Sequence, residues 1–337
     1  MIDLHLHLDG SIAPADMFRL AEMSKTELPV ETEEELKEKL TVEPGCRNLK
    51  EYLEKFDLPL RVLQTEPGLE FAVYRLLERL GEQGLCRGEI RFAPQLHMQR
   101  GLTQEAAVSA AVSGLNRGVR DFGISAGVIL CCMRGSTNRA ENMETVAVAE
   151  RFLDKGVCAV DLAGNEAVYP TEAFADIFRR AGERRVPAVI HAGEAAGAQS
   201  VREALELGAV RIGHGIHAME DPELTALLQE RNIYLEMCYS SNLQTRTVES
   251  PEEYPLVRFL ERGLGVTVNT DNMTVSDTDL RKEYLLLRDR FSLSPAALRQ
   301  LALNGADGAF VTKEERMHLK ERINREFISW LGCGAAS

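Results

Sequence analysis

The feature that most constrains the fold is a regular alternation after residue 85, in which short apolar runs rich in β-branched residues are followed by amphipathic stretches of helical length. This pattern is typical of a parallel sheet whose strands are connected by helices. The runs are apolar almost throughout, as expected where both faces of a strand are buried. With one more run at the N-terminus they predict an α/β fold, a closed (β/α)8 TIM barrel, with strands at residues 2–7, 89–94, 124–131, 157–163, 188–191, 210–214, 233–238 and 266–270.

Two segments exceed what a simple barrel needs. Residues 10–87 separate the first two strands, and this segment is far longer than a usual connection between a strand and a helix. Its sequence is strongly charged and has a helical pattern. Such an insertion is a candidate lid. Residues 295–332 form a helical C-terminal tail. Because no internal repeat, flexible linker or composition shift divides the chain, we expect residues 1–337 to form a single elaborated barrel domain.

Charge and hydropathy limit the classes of partner. The chain has 39 Lys+Arg against 52 Asp+Glu, a formal net charge of −13, which argues against nucleic acid as a main partner. No stretch of about 18 residues is apolar throughout, and the N-terminus begins with an acid and a histidine rather than a basic and then an apolar block. We therefore expect a cytoplasmic protein without a membrane span.

Cysteine and glycine patterns exclude further classes. The chain lacks the Gly-rich phosphate loops of the Walker or dinucleotide type, which disfavours nucleoside triphosphate and NAD enzymes. The cysteines are odd in number, scattered and never spaced Cys-x-x-Cys, so we expect free thiols rather than disulfides or a zinc ribbon. They are Cys46, Cys86, Cys131, Cys132, Cys158, Cys238 and Cys333.

Two helix starts are marked by the sequence. Asp221 directly precedes Pro222, which favours a helix that begins at the proline with the aspartate as its N-cap. Ser200 with Glu203 has the spacing of a capping box, in which each side chain accepts from the other's backbone N–H. This spacing predicts a helix that begins just after Ser200.

Two histidines lie in the first predicted strand. Side chains alternate between the faces of a strand, so His5 and His7 point to the same side. Two imidazoles on one short strand would make half of a zinc site. Considered alone, the pair fits hydrogen-bonded core histidines better than metal ligands.

Other strand ends add candidate ligands. His191 ends the fifth predicted strand and Asp271 ends the eighth. Both lie at carboxyl ends, where active sites of TIM barrels are built. Three imidazoles and one carboxylate suit Zn²⁺ and leave one position for a water molecule, whose pKa the metal would lower toward neutrality. The sequence therefore predicts a catalytic site with one zinc ion per chain.

Two further residues are candidates for proton transfer. Glu194 lies three residues beyond His191, so it can approach the metal without being a ligand. In a dry pocket the pKa of its carboxyl would rise, which suits it to protonate a substrate nitrogen, although it could also cap the next helix. His214 lies between Gly213 and Gly215, which permit close approach of a ligand. It could orient the attacking water or accept its proton.

In this order, these segments resemble the adenosine deaminase family, and the likeness spans almost the whole chain. The resemblance implies a zinc ion held by the predicted ligands, Glu194 as the group that protonates purine N1, and His214 as the group that assists the attacking water. The matching motifs are His5-Leu6-His7-Leu8-Asp9-Gly10-Ser11, His191-Ala192-Gly193-Glu194, Gly213-His214-Gly215, Ser240-Ser241-Asn242 and Asn269-Thr270-Asp271.

The same resemblance implies how a nucleoside would bind. Asp9 matches the position that contacts the ribose 5′-hydroxyl in the family, and the backbone N–H of Gly164 would meet purine N3. Residues 48–56 resemble the family's lid helix, although their spacing also fits a helix that simply packs on the barrel. The apolar face that would cover the purine consists of Leu49, Tyr52, Leu53 and Phe56.

One position departs from the family. Asn272 stands where the best-known members have an aspartate that contacts purine N7. An aspartate donates only when protonated, whereas an asparagine amide has donors at every pH, so the contact can survive the change.

The function that the resemblance implies is hydrolytic deamination of adenosine, and also of 2′-deoxyadenosine, in purine salvage. The alternatives are deamination of a related aminopurine, such as adenine, a modified adenosine or an aminofutalosine, and a non-catalytic purine-binding protein. The sequence leaves the oligomeric state open.

Overall fold

Eight parallel strands form the centre of the protein. The computed structural model describes residues 1–43 and 45–332, so Cys333 lies outside the described residues. The strands pair in chain order from the first to the eighth. They are β1 (Ile2–His7), β2 (Arg87–Phe92), β3 (Ser125–Met133), β4 (Val157–Ala163), β5 (Ala188–Ala192), β6 (Ala209–His214), β7 (Tyr234–Met237) and β8 (Gly265–Val268).

The sheet closes next to the predicted site. The backbone N–H of His7 donates to the carbonyl of Asp271 at 2.8 Å, and the N–H of Asp271 donates to the carbonyl of His5 at 2.8 Å. The predicted (β/α)8 barrel is thereby confirmed, with each strand boundary within two residues of its prediction. The prediction that Asp271 ends the eighth strand is wrong, because β8 stops at Val268 and Asp271 has a φ of 60°, outside the strand region.

Helices surround the sheet and fill both long segments. Helices α1 to α5 lie between β1 and β2, and α14 and α15 form the C-terminal segment. The helices are α1 (Pro14–Ser24), α2 (Glu33–Leu40), α3 (Leu49–Leu53), α4 (Asp57–Val62), α5 (Glu66–Glu82), α6 (Gln104–Phe122), α7 (Arg139–Phe152), α8 (Ala175–Glu183), α9 (Ala198–Glu206), α10 (Pro222–Glu230), α11 (Tyr239–Gln244), α12 (Leu256–Glu261), α13 (Leu280–Phe291), α14 (Pro295–Gly308) and α15 (Lys313–Leu331).

One predicted helix start is confirmed and one is wrong. The Asp221 carboxylate accepts hydrogen bonds from the N–H groups of Glu223 and Leu224 at the start of α10. Helix α9 begins before Ser200, with Gly197 as its N-cap. The Ser200 hydroxyl donates instead to the buried carboxylate of Glu166, which is distant in sequence. A local motif could not predict that partner.

The remaining structural expectations concern thiols and membranes. The six cysteines in the described part of the chain are free, and all but Cys158 are buried. Across residues 1–43 and 45–332, no helix combines the length and the hydrophobicity that crossing a membrane requires.

Candidate active site

The four predicted metal ligands come together at the carboxyl ends of the strands. His7 Nε2 lies 3.3 Å from His191 Nε2 and 3.5 Å from Asp271 Oδ1. His5 Nε2 lies 3.4 Å from the same Asp271 oxygen. The alternation of β1 thus directs both of its histidines toward β5 and the end of β8, on the inside of the barrel.

These separations fit a metal ion. Two ligand atoms bound tetrahedrally to zinc at 2.0–2.1 Å lie about 3.4 Å apart. His5 Nε2 is also fully buried and has no hydrogen-bond partner among the described residues, an arrangement that is costly unless another group occupies the site. The donor set and its spacing are therefore suited to a cation such as Zn²⁺.

Two carboxylates that were not predicted from the sequence contact two of the imidazoles at Nδ1, the nitrogen that faces away from the site. Glu236 Oε2 lies 2.9 Å from Nδ1 of His5, and Asp161 Oδ2 lies 2.9 Å from Nδ1 of His191. A carboxylate at Nδ1 accepts a hydrogen bond from the Nδ1–H, which keeps the ring proton on Nδ1 and leaves the Nε2 lone pair free for a metal. Burial opposes ionisation, yet His191 and Arg91 hold the pKa of Asp161 well below its usual range.

One guanidinium joins these two carboxylates beneath the site. Arg91 is fully buried, and it contacts Asp161 at 2.9 Å and Glu236 at 2.8 Å. Burial again opposes ionisation, but Arg211 and Arg91 hold the pKa of Glu236 well below its usual range. The inside of the barrel therefore contains a buried ionic network that keeps the carboxylates behind His5 and His191 charged.

Removal of this guanidinium should be strongly destabilising. Arg91→Met would leave Asp161 and Glu236 buried with less compensating charge, so we expect the free energy of unfolding to fall by about 3–5 kcal/mol in urea denaturation. Arg19→Met is a matched control because Arg19 forms an exposed pair with Glu22, and it should leave stability nearly unchanged. An Arg91→Met protein as stable as this control would contradict the prediction.

Glu194 lies in the turn that follows β5 and is 5% exposed. Burial, with the nearby charges of Asp271 and Glu166, raises the pKa of Glu194 well above its usual value. This shift favours the protonated form of the carboxyl group. Its Oε2 lies 3.6 Å from His214 Nε2.

His214 ends β6 and is neutral. Burial and the nearby His5 lower the pKa of His214 well below its usual value. The amide of Asn242 donates to Nδ1 of His214 at 3.0 Å, so the ring proton lies on Nε2, the atom that faces Glu194. Because of its proton, this nitrogen is suited to donate a hydrogen bond rather than to bind the metal, although His214 does lie close to His5 and His191.

One cavity lies over this cluster. It is lined by His7, His191, Glu194, His214 and Asp271, while His5 lies behind its wall. All of the residues that the resemblance assigned to substrate also line it, namely Asp9, Gly164, Asn272, Leu49, Tyr52, Leu53 and Phe56. Among the described residues, no lysine or arginine contributes to its wall.

The lid segment is less regular than predicted. Helix α3 ends at Leu53, a 3-10 turn covers Glu54–Phe56, and α4 follows directly. The hydroxyl of Tyr52 is buried and lies 2.7 Å from Ser276 Oγ, in the loop that carries Asp271 and Asn272. The lid thus packs on the loop that completes the predicted metal site.

The polar wall of the cavity depends on two glycines. Gly164 has a φ of 107°, a conformation that glycine adopts without strain, and it presents its backbone to the cavity. A Cβ on Gly10 would lie 1.9 Å from Oδ1 of Asn272. Only glycine therefore leaves room for the Asn272 side chain against the turn that follows β1. Burial raises the pKa of Asp9, beside Gly10, to about 6.

Sequence reasoning missed the supporting residues of the site. Asp161 and Glu236 lie within strands that are otherwise apolar, and Arg91 lies in a buried strand that carries two further charged residues. A charged residue in a buried strand needs a partner, so these residues could have been flagged, but the partner could not have been named. Glu166 lies in a loop and had no such signal, whereas Asn242 lies in α11 at the end of the motif Ser240-Ser241-Asn242.

Comparison with known proteins identifies the family. The model of the adenosine deaminase family matches residues 1–326. An adenosine deaminase from Haemophilus ducreyi is 47% identical over 331 residues, which cover 97% of this chain and 96% of the relative.

Solved structures share the fold. An adenine deaminase from Arthrobacter aurescens has a TM-score of 0.88 at 29% identity, covering 97% of this chain and 98% of that one. An amidohydrolase from Burkholderia ambifaria, crystallised with bound Zn, has a TM-score of 0.87 at 24% identity, covering 98% and 91%. The matched family is metal-dependent. The chain therefore belongs to the adenosine deaminase family, whose members are hydrolases that act on C–N bonds.

Proposed function

We propose that this protein is a zinc-dependent adenosine deaminase, which hydrolyses adenosine and 2′-deoxyadenosine to inosine and 2′-deoxyinosine with release of ammonia, in purine salvage. The observation that carries this proposal is the arrangement of a buried Glu194, whose pKa is raised, beside a cluster of three imidazoles and one carboxylate that has the spacing of a metal site. The 47% identity to a relative named adenosine deaminase supports the same substrate.

His5, His7, His191 and Asp271 would hold one zinc ion. When bound, the ion would lower the pKa of a water molecule toward neutrality, so that a nucleophile is available at physiological pH. Glu236 and Asp161 keep the Nε2 atoms of His5 and His191 unprotonated. The hydroxyl of Ser241 donates to Oδ2 of Asp271 at 2.5 Å and so orients that carboxylate.

Glu194 would supply the proton that activates the purine. Its raised pKa favours the protonated carboxyl, and transfer of the proton to N1 would make C6 electrophilic. His214 would orient the attacking oxygen through its Nε2–H, because Asn242 occupies Nδ1. Of the two protons of the attacking water, one passes to the amino group at C6, which leaves as ammonia, and the other restores the carboxyl of Glu194.

The cavity walls would select a nucleoside. Leu49, Leu53 and Phe56 offer an apolar cover for the purine, and closure of the lid would exclude water. The N–H of Gly164 would meet N3 and the amide of Asn272 would donate to N7. Since no cation lines the cavity within the described residues, a 5′-phosphate would find no counter-charge there.

Asp9 decides between nucleoside and free base in this proposal. If its carboxylate accepts the ribose 5′-hydroxyl, Asp9→Ala should lower kcat/KM for adenosine by about 10- to 100-fold and leave turnover of adenine unchanged. Asp57→Asn is the matched control, a carboxylate that also lines the cavity but has no assigned contact. Steady-state rates on both substrates, followed by absorbance, check this.

Adenine is the second candidate substrate, because a solved adenine deaminase shares the fold at 29% identity. A wild-type protein that turns over adenine faster than adenosine would overturn the assignment of Asp9. A modified adenosine and an aminofutalosine belong to the same substrate panel. A metal-replete sample that binds adenosine without any change in its absorbance would instead support a non-catalytic purine-binding protein.

A further inference from the structure

Glu166 is a buried carboxylate in the loop after β4, 3% exposed and outside the metal site. Four consecutive backbone N–H groups of the turn after β5 donate to it. The N–H of Gly193 donates to Oε1 at 2.8 Å, and those of Glu194, Ala195 and Ala196 donate to Oε2 at 2.9, 2.7 and 3.1 Å. The Ser200 hydroxyl donates to Oε1 as a fifth partner.

This turn needs an outside acceptor. It connects β5 to α9, which begins only at Ala198, so its N–H groups lie beyond the strand and before the helix. Gly193 has a φ of 69°, which bends the chain so that successive N–H groups point to one side. A buried N–H group without an acceptor is costly, and Glu166 satisfies the buried N–H groups of Gly193 and Glu194 together with the half-buried ones of Ala195 and Ala196.

A carboxylate suits these partners. The four backbone N–H groups can only donate, and a carboxylate offers two acceptor oxygens and no donor. A glutamine at this position would keep one oxygen but would turn an NH₂ group toward N–H or hydroxyl donors. Hydrogen bonds to a charged acceptor are also stronger than neutral ones, which favours a rigid turn.

The turn held in this way carries Glu194 itself. The backbone N–H of Glu194 is one of the four donors, while its side chain lines the cavity beside His214. Displacing a reacting group by about 1 Å can cost about 100-fold in rate. The position of the Glu194 carboxyl therefore depends on the contacts of Glu166.

We propose that Glu166 is a positioning residue, which fixes the backbone of residues 193–196 and so holds Glu194 where it delivers its proton. This inference rests on the proposed role of Glu194. Glu166 itself is absent from the residues that line the cavity.

Kinetics of Glu166→Gln test the proposal. We expect kcat for adenosine to fall by about 100-fold, with KM changed less than about threefold and zinc content unchanged. Glu203→Gln is the matched control, since Glu203 lies on α9 and accepts only exposed hydrogen bonds, from the N–H of Glu172 and from Nε2 of Gln199. Loss of zinc, or a rise in KM with kcat retained, would overturn the proposal.

A double-mutant cycle separates positioning from general support of the fold. If Glu166 acts through Glu194, adding Glu166→Gln to Glu194→Gln should change the residual kcat by less than about twofold. A further 100-fold loss in that background would overturn the proposal. Near-normal kcat in Glu194→Gln alone would instead refute the proton-donor role. Amide hydrogen exchange would then show independently whether Glu166 holds the turn.

Amide hydrogen exchange of the wild-type holoenzyme provides a measurement that does not depend on a variant that folds. The N–H groups of Glu194, Ala195 and Ala196 should exchange as slowly as those of neighbouring strands. Glu166→Gln should speed exchange at these amides by about 100-fold or more while β5 stays protected. Rapid exchange of these amides in the wild-type protein would overturn the proposal.

Discussion

Glu194→Gln should keep its zinc and lose most of its activity, with kcat for adenosine about 100- to 10,000-fold lower than that of the wild-type protein. Glutamine has nearly the same shape but no acidic proton, so N1 of the purine could not be protonated. The Glu194 carboxyl is suited to this step because burial raises its pKa well above the usual value. Single-turnover rates and metal analysis on the same sample check the prediction.

Glu206→Gln is the control for this variant. Glu206 is the exposed last residue of α9, so this substitution makes the same chemical change outside the cavity. It should leave kcat unchanged. If Glu194→Gln retains a near-normal kcat together with a full complement of zinc, Glu194 does not supply the proton.

His191→Ala should abolish metal retention and, with it, turnover. Alanine removes one of the four predicted ligands and leaves Asp161 without the imidazole that it orients. We expect metal content after dialysis against a chelator to fall from one zinc ion per chain to nearly none, and kcat to fall by at least about 1,000-fold.

His318→Ala is the matched histidine variant, since the side chain of His318 is 81% exposed and lies far from the cavity in α15. It should bind zinc as the wild-type protein does. A His191→Ala protein that retains a full ion through dialysis would show that the metal site is built from other residues.

Much of the arrangement of the site was predictable because it depends on two periodic rules. Side chains in a strand alternate, so His5 and His7 had to share a face, and the carboxyl ends of parallel strands meet at one rim, so His191 had to approach them. Asp271 reaches the same rim from the loop that follows β8. Neither rule requires knowledge of side-chain contacts. This is why the fold and the predicted ligand cluster could be inferred before the structure.

The supporting contacts followed no such rule. Ser200 has the spacing of a capping box, but its hydroxyl bonds to Glu166, which the barrel brings close only after folding. Asp161 and Glu236 could be recognised as unusual charges in buried strands, yet each could have paired with several groups. Their choice of partner depends on rotamers and on the stagger of the closed sheet.

The amino-acid sequence by itself determined the eight-stranded barrel, the types of residue at its rim and the family resemblance, because these follow from local periodicity and from the order of the motifs. The tertiary structure alone decided which nitrogen of each histidine faces the site, how Arg91 joins the carboxylates behind two of them, and which residue holds the turn of Glu194. Those choices depend on the directions of hydrogen bonds between segments that are far apart in the chain, and such directions exist only once the barrel has closed.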